Sequence, residues 1–247
     1  MAPTRDSTLH NLAVFDFDWS MIEQDSDDWT INSLSTETYD WVRERRKDIQ
    51  WTDLMGQALS HLHDKGFTPN DINRTLEQIP FHPAMKEVLR SLSGNNTTVL
   101  IISDANTVYI ESILKANGVR QYVSSIVTNP AQFDTEGRLV IDRLIPKNAK
   151  PHGCGNGCAV NICKGQELNK YLEEFGPYNK IMYVGDGAND YCPATQLHGV
   201  DKVFVRKGKS LEALLKDQPD RIQNIKCEVQ YWNSPQEILD SVIQEKW

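Results

Sequence analysis

Apolar residues in this chain fall into two patterns. Short unbroken runs such as Leu12-Ala-Val-Phe15, Val99-Leu-Ile-Ile102 and Ile181-Met-Tyr-Val184 predict strands buried on both faces, as in a parallel sheet. Longer stretches with apolar residues at i, i+3, i+4 and i+7 predict amphipathic helices. The first strand ends at Asp16. Two helical pieces follow between Ser26 and Lys47, and then a third helix with the stripe Trp51, Leu54, Met55, Ala58, Leu59 and Leu62, read as core and stopped by Gly66. Thr68-Pro69 with Asp71 opens a fourth helix to about Ile79, and a fifth runs from Pro83 to Leu92. Strands are then predicted at Thr97 to Ser103, Tyr122 to Thr128, Lys180 to Val184, Lys202 to Val205 and Cys227 to Tyr231. Helices are expected at Asn106 to Ala116, at Gly165 to Phe175, from Ser210 and from Ser234, and a hairpin at Phe133 to Asp142 turning at Glu136-Gly137. Strands alternating with helices give an α/β fold, a doubly wound parallel sheet. The block of helices after strand 1 divides the chain into a core of residues 1–21 and 81–247 and a helical cap of residues 22–80.

Composition narrows the class. The chain has 247 residues, 39% of them hydrophobic and 24% charged, as in a globular protein, and no apolar run approaches the ~20 residues of a membrane helix. Net charge is -8, which argues against a nucleic-acid partner, because such binding needs clustered Lys and Arg. The first ten residues, Met1 to His10, are polar, so a cytoplasmic protein is expected. Nothing identifies a protein partner. The five cysteines are read as reduced thiols or a metal site rather than a disulfide framework.

Polar chemistry concentrates at strand ends. Asp16 and Asp18 point the same way along an extended chain, at the carboxyl end where open α/β sheets place their ligand crevice. An isolated Asp-x-Asp in that position is otherwise a solvated turn. Here Ser103 and Asp104 end a second strand, Asp186 and Asp190 follow a third, and Lys164 starts the helix before it. Gly187 is expected to let the backbone bend so that Asp186 and Asp190 face one site. Clustered carboxylates need a counterion in a partly dry cleft, and all-oxygen ligands select a hard cation such as Mg2+.

This ordered set, Asp16-Phe-Asp18-Trp-Ser20, Ser103, Lys164 and Gly185-Asp186-Gly-Ala-Asn-Asp190, resembles the motifs of the haloacid dehalogenase superfamily over nearly the whole chain. The resemblance implies that Asp16 is the nucleophile forming an aspartyl-phosphate and Asp18 the general acid and base. It implies that Ser103 and Lys164 bind phosphate, that Mg2+ is held by Asp16, the Asp18 carbonyl and Asp186, and that Asp190 orients Lys164 or a metal-bound water. The second acid favours ester cleavage over dehalogenation, since an alkoxide leaving group needs a proton.

A narrower likeness, to phosphoethanolamine and phosphocholine phosphatases and their relatives acting on pyridoxal phosphate or thiamine monophosphate, is carried by Asp16 to Asp28, Ser103-Asp-Ala-Asn106 and His152-x-Cys154 leading to Asn161-Ile-Cys-Lys164. It implies that Asp27 and Asp104 bind a cationic head group. Each has a plainer reading as a helix cap, Asp27 for the first cap helix and Asp104 for the helix from Asn106. Trp19 either offers its face to an ammonium group or packs under the cap. His152, Cys154, Cys158 and Cys163 have ligand types suited to tetrahedral Zn2+ near Lys164, though without a Cys-x-x-Cys knuckle; packing thiols are the alternative. The expected partner is a small phosphate ester. A phosphomutase or phosphotransferase is the rival enzyme, and a silent scaffold would have lost Asp16 or Lys164.

Overall fold

The computed structural model describes residues 10–247, so most of the polar segment at Met1 to His10 lies outside the described residues. Six parallel strands form the main sheet: β1 (Asn11–Phe15), β2 (Thr97–Asn106), β3 (Ser125–Asn129), β6 (Ile181–Gly185), β7 (His198–Arg206) and β8 (Lys226–Trp232). Their order is β3-β2-β1-β6-β7-β8. The expected α/β doubly wound sheet is observed. β4 (Ala131–Phe133) and β5 (Leu139–Ile141) pair antiparallel as the predicted hairpin, with Gly137 at φ +83 in its turn.

The alternation along β1 shows why its apolar run is unbroken. Ala13 and Phe15 pack with α5 (Pro83–Gly94), α6 (Thr107–Ala116) and α11 (Pro235–Glu245) on one face. Leu12 and Val14 pack on the other with α7 (Lys164–Phe175) and α9 (Ser210–Asp217). Neither face meets water. The chain leaves β1 toward β2 and β3, then returns to β6 on its other side, so the switch point falls at the carboxyl end of β1.

Between β1 and α5 come α1 (Ser26–Leu34), α2 (Thr36–Arg45), α3 (Trp51–Asp64) and α4 (Pro69–Glu77), which pack on one another. α4 begins where Thr68-Pro69 and Asp71 predict, and the structure adds a capping box there, Thr68 and Asp71 bonding reciprocally. α3 rests on β5, and Arg143 beyond that strand holds Asp53 of α3 through two hydrogen bonds, 2.9 and 2.7 Å. Two short α-helices, α8 (Tyr191–Ala194) and α10 (Pro219–Ile222), and two 3-10 turns at Arg120–Tyr122 and Ala188–Asp190 are not among the predicted elements. β2 also runs three residues past the predicted Ser103, with a register shift against β3 between Ile102 and Asn106. No helix among the described residues is long and apolar enough to cross a membrane.

Candidate active site

Asp16 continues β1 by one residue, its N–H donating to the Val184 carbonyl at 2.9 Å. The chain then turns sharply: the amides of Ser20, Met21 and Ile22 all donate to the Phe17 carbonyl, and Trp19 adopts φ 56. Asp16 Oδ1 accepts from Phe17 N at 2.7 Å and from Lys164 Nζ at 2.8 Å. Its Oδ2 has no hydrogen bond among the described residues, which leaves that oxygen available.

Asp190 is fully committed. Its Oδ1 accepts from Lys164 Nζ at 2.8 Å and Tyr183 OH at 2.6 Å, and its Oδ2 from the amides of Asp186 and Gly187 at 2.9 and 2.8 Å. Asp190 thus bonds Lys164 directly. The two flanking glycines serve close approach. Gly187 has an ordinary φ of -89, so the expected backbone freedom is not what it supplies. A Cβ there would lie 2.3 Å from Asn189 Oδ1, and one on Gly185 would lie 2.6 Å from the Asp190 carboxylate.

Carboxylate oxygens of Asp16, Asp186 and Asp190 lie within 4.8 Å of one another. Burial raises Asp16 well above the usual carboxylate range, Asp190 adds to this, and Lys164 opposes it. Asp186 is pushed up to about 7 by burial and by Asp190. Lys164 is buried, which works against its charge, yet Asp16 and Asp190 outweigh that and hold it protonated. Three acids facing one lysine leave excess negative charge, and the donors are all oxygen. The site therefore fits a hard divalent cation.

A crevice of about 360 Å3 opens beside this cluster, lined by Asp16, Asp18, Trp19, Asp25, Asp27, Arg46, Trp51, Asp104, Ala105, Asp186, Gly187 and Asn189. A larger cleft of about 830 Å3 between α3 and the segment from Ile141 to Lys147 shares none of these residues. Asp18 Oδ1 accepts from Ser26 N at 2.9 Å. Burial, then Asp25 and Asp27, raise Asp18 well above its ordinary value. Ser103 lies within β2 and does not line the crevice; it is buried, and its hydroxyl accepts from Ala105 N at 3.1 Å.

The plain capping readings of Asp27 and Asp104 are not observed. Asp25 caps α1, accepting from Asp28 N, and Asn106 caps α6, accepting from Tyr109 N. Asp27 instead accepts from Trp51 Nε1 at 2.8 Å in a buried position, and Asp104 accepts from Asn189 Nδ2 at 3.2 Å at the crevice mouth. Trp51 begins the apolar stripe that predicts core, yet it turns its N–H to Asp27 and borders the crevice. Asp25, which no motif in the sequence singles out, lines the crevice too, and burial pushes it up to about 6. One face of the Trp19 ring is occupied by Lys209, whose Nζ lies 3.1 Å from the centroid.

Comparison with known proteins bears on this arrangement. The model of the family described as "Putative Phosphatase" matches residues 11–246. Inorganic pyrophosphatase 2 of Arabidopsis thaliana is 33% identical over 238 residues, covering 94% of this chain and 83% of that protein. Pyridoxal phosphate phosphatase PHOSPHO2 of Homo sapiens is 32% identical over 235 residues, covering 92% of this chain and 95% of the relative. Among solved structures, a phospho-aspartyl intermediate analogue of phosphoserine phosphatase superposes with TM-score 0.57 at 15% identity, covering 96% of this chain and 99% of that one. Phosphoserine phosphatase from T. onnurineus gives TM-score 0.58 at 14% identity, covering 97% and 98%. At such identities these two establish the fold.

Proposed function

We propose that this chain, which belongs to the Putative Phosphatase family within the haloacid dehalogenase superfamily and is a phosphoric monoester hydrolase, cleaves a small phosphate ester with a cationic far end, phosphoethanolamine or phosphocholine, through an aspartyl-phosphate on Asp16. The observation that carries the reading is Asp16 itself: one oxygen is anchored by Lys164 and Phe17 N, while the other is uncommitted at the crevice.

In this mechanism Asp16 Oδ2 attacks phosphorus and the bond to the leaving oxygen breaks. Asp18, whose carboxyl burial raises above its ordinary value, serves as the general acid and gives its proton to that oxygen. Asp18 then takes a proton from the water that attacks phosphorus and frees Asp16. Lys164, oriented by Asp190, holds the transferring phosphoryl group together with Ser103. Mg2+, held by Asp16, the Asp18 carbonyl and Asp186, would offset the repulsion between these acids and the phosphate. Residues 22–80 act as the cap that brings Asp25, Asp27 and Trp51 over the crevice.

Asp25, Asp27 and Asp104 supply the reason for a cationic head group, because acids placed beside a phosphate pocket repel substrates without one. A second reading, pyridoxal phosphate, is favoured by the relatives that carry that name. Turnover of phosphoethanolamine, phosphocholine, pyridoxal phosphate, thiamine monophosphate and pyrophosphate, with and without Mg2+, separates them. The proposal expects Mg2+-dependent release of phosphate with the highest kcat/KM on the two amino-alcohol esters. Pyridoxal phosphate in first place supports the second reading, and an isomerised ester in place of free phosphate indicates a mutase.

A further inference from the structure

Away from the acidic crevice four thiols converge. Cys154 and Cys158 come from the irregular segment between β5 and α7, Cys163 is the residue before α7, and Cys192 lies in α8. Their sulphurs all lie within 4.8 Å of one another. Cys192 Sγ is 3.5 Å from both Cys154 Sγ and Cys163 Sγ. A disulfide needs a separation of about 2.05 Å. Four thiolates on one tetrahedral Zn2+, with bonds of about 2.3 Å, stand about 3.8 Å apart. The observed spacing is that of the cage.

The surroundings are shaped to this cluster. A Cβ on Gly165 would come within 2.6 Å of Cys192 Sγ, so the glycine leaves room for that sulphur. Asn156 aims its backbone N–H at Cys154 Sγ, 3.5 Å, and its side-chain amide at Cys192 Sγ, 3.4 Å, the kind of N–H donors that thiolate charge requires. His152, offered by the sequence as the fourth ligand, is not one. Its Nδ1 accepts from Cys154 N at 3.1 Å and its Nε2 meets the Ala159 carbonyl at 2.7 Å. Both ring nitrogens are spent folding the loop that carries the first two cysteines.

We propose that Cys154, Cys158, Cys163 and Cys192 bind a structural Zn2+ that clamps the loop before α7 to α8. Soft thiolates select zinc over the hard cations suited to the carboxylate cluster. Four protein ligands close the coordination sphere, so this metal has no open position for substrate. Cys163 immediately precedes Lys164, and Cys192 follows Asp190 by two residues. The clamp thus fixes both segments that supply the buried Lys164–Asp190 pair. Binding displaces the thiol protons to solvent as the four thiolates form.

The test is metal analysis of the whole chain purified without chelators from zinc-supplemented cells. The proposal expects one zinc per chain and, after exchange with Co2+, the intense visible bands and thiolate charge-transfer absorption of a tetrahedral all-sulphur site. Cys192→Ser should lose the zinc, whereas His152→Ala and Cys227→Ser should keep it. Because Cys192→Ser can unfold the chain, the Co2+ spectrum of the parent protein stands as an independent readout. Five freely titratable thiols in the folded protein supplied with zinc, or a disulfide among these four cysteines, would overturn the site. Metal content is read apart from turnover, so zinc in a chain that releases no phosphate would overturn the functional reading and leave this site standing.

Discussion

Lys164 Nζ donates to Asp190 Oδ1 at 2.8 Å in a setting where the two side chains are 1% and 0% exposed. A buried lysine is tolerated only when its charge is matched, and Asp190, itself fixed by Tyr183 and two amides, supplies that match in one orientation. If this pair positions the ammonium for phosphate, Asp190→Asn should lower kcat by on the order of 10²-fold while changing KM much less. Single-turnover kinetics with the folded variant checks this. A rise in KM at unchanged kcat would assign the pair to ground-state binding instead.

Burial, then Asp25 and Asp27, raise Asp18 well above its ordinary value, the direction a general acid needs. As general acid it matters in proportion to the basicity of the leaving group. Asp18→Asn should slow alkyl phosphates by roughly 10²- to 10⁴-fold and a nitrophenyl phosphate far less. Equal losses on both substrates would mean that Asp18 serves the site in another way.

The head-group assignment turns on Asp27 and Asp104. Asp27→Asn and Asp104→Asn should each raise KM for phosphoethanolamine or phosphocholine by about tenfold, the worth of one lost ionic contact of ~1.4 kcal/mol, and leave an uncharged aryl phosphate nearly unaffected. Trp51→Phe, which removes the N–H held by Asp27, should share the direction with a smaller effect. Parallel changes for charged and uncharged substrates would remove the cationic head group from the account.

Metal-free protein should lose stability as pH rises from 5 to 8. Asp25, raised to about 6, and Asp186, raised to about 7, hold protons in the folded state that the unfolded chain has already released. The folded state then binds more protons than the unfolded one, and stability falls through that window. Carboxylates held low, such as Asp53 by its hydrogen bonds to Arg143, are ionised in both states there and contribute no slope. Melting temperatures in chelator should therefore be higher at pH 5 than at pH 8, with Mg2+ narrowing the gap. A gap that Asp186→Asn leaves unchanged would contradict the role given to that acid.

Much of the fold was written locally in the sequence. The apolar run to Phe15 and the Thr68-Pro69 start with Asp71 mark their elements in the local sequence. The acids at the ends of β1, β2 and β6 could be grouped because a parallel sheet brings its carboxyl ends to one rim. Other features depend on packing between distant segments. Which of Asp25, Asp27 and Asp28 caps α1 depends on where the helix begins, and only the packing of α1 against α3 puts Trp51 on Asp27, 24 residues away. Cys192 joins Cys163 across 29 residues because α7 packs against α8. Gly187 serves close approach and not backbone freedom, and a crowded neighbour, unlike an αL turn, leaves no signature in sequence.

As the nucleophile, Asp16 must carry the phosphoryl group during turnover. Acid-quenching the reaction with phosphoethanolamine in the steady state and mapping phosphorylated peptides by mass spectrometry tests it directly. The expected result is a hydroxylamine-labile phosphoryl group on the peptide bearing Asp16, absent in Asp16→Asn, which should fold normally and not turn over. Phosphate release by Asp16→Asn at the parent rate, or a phosphoryl group mapped to another residue, would contradict it.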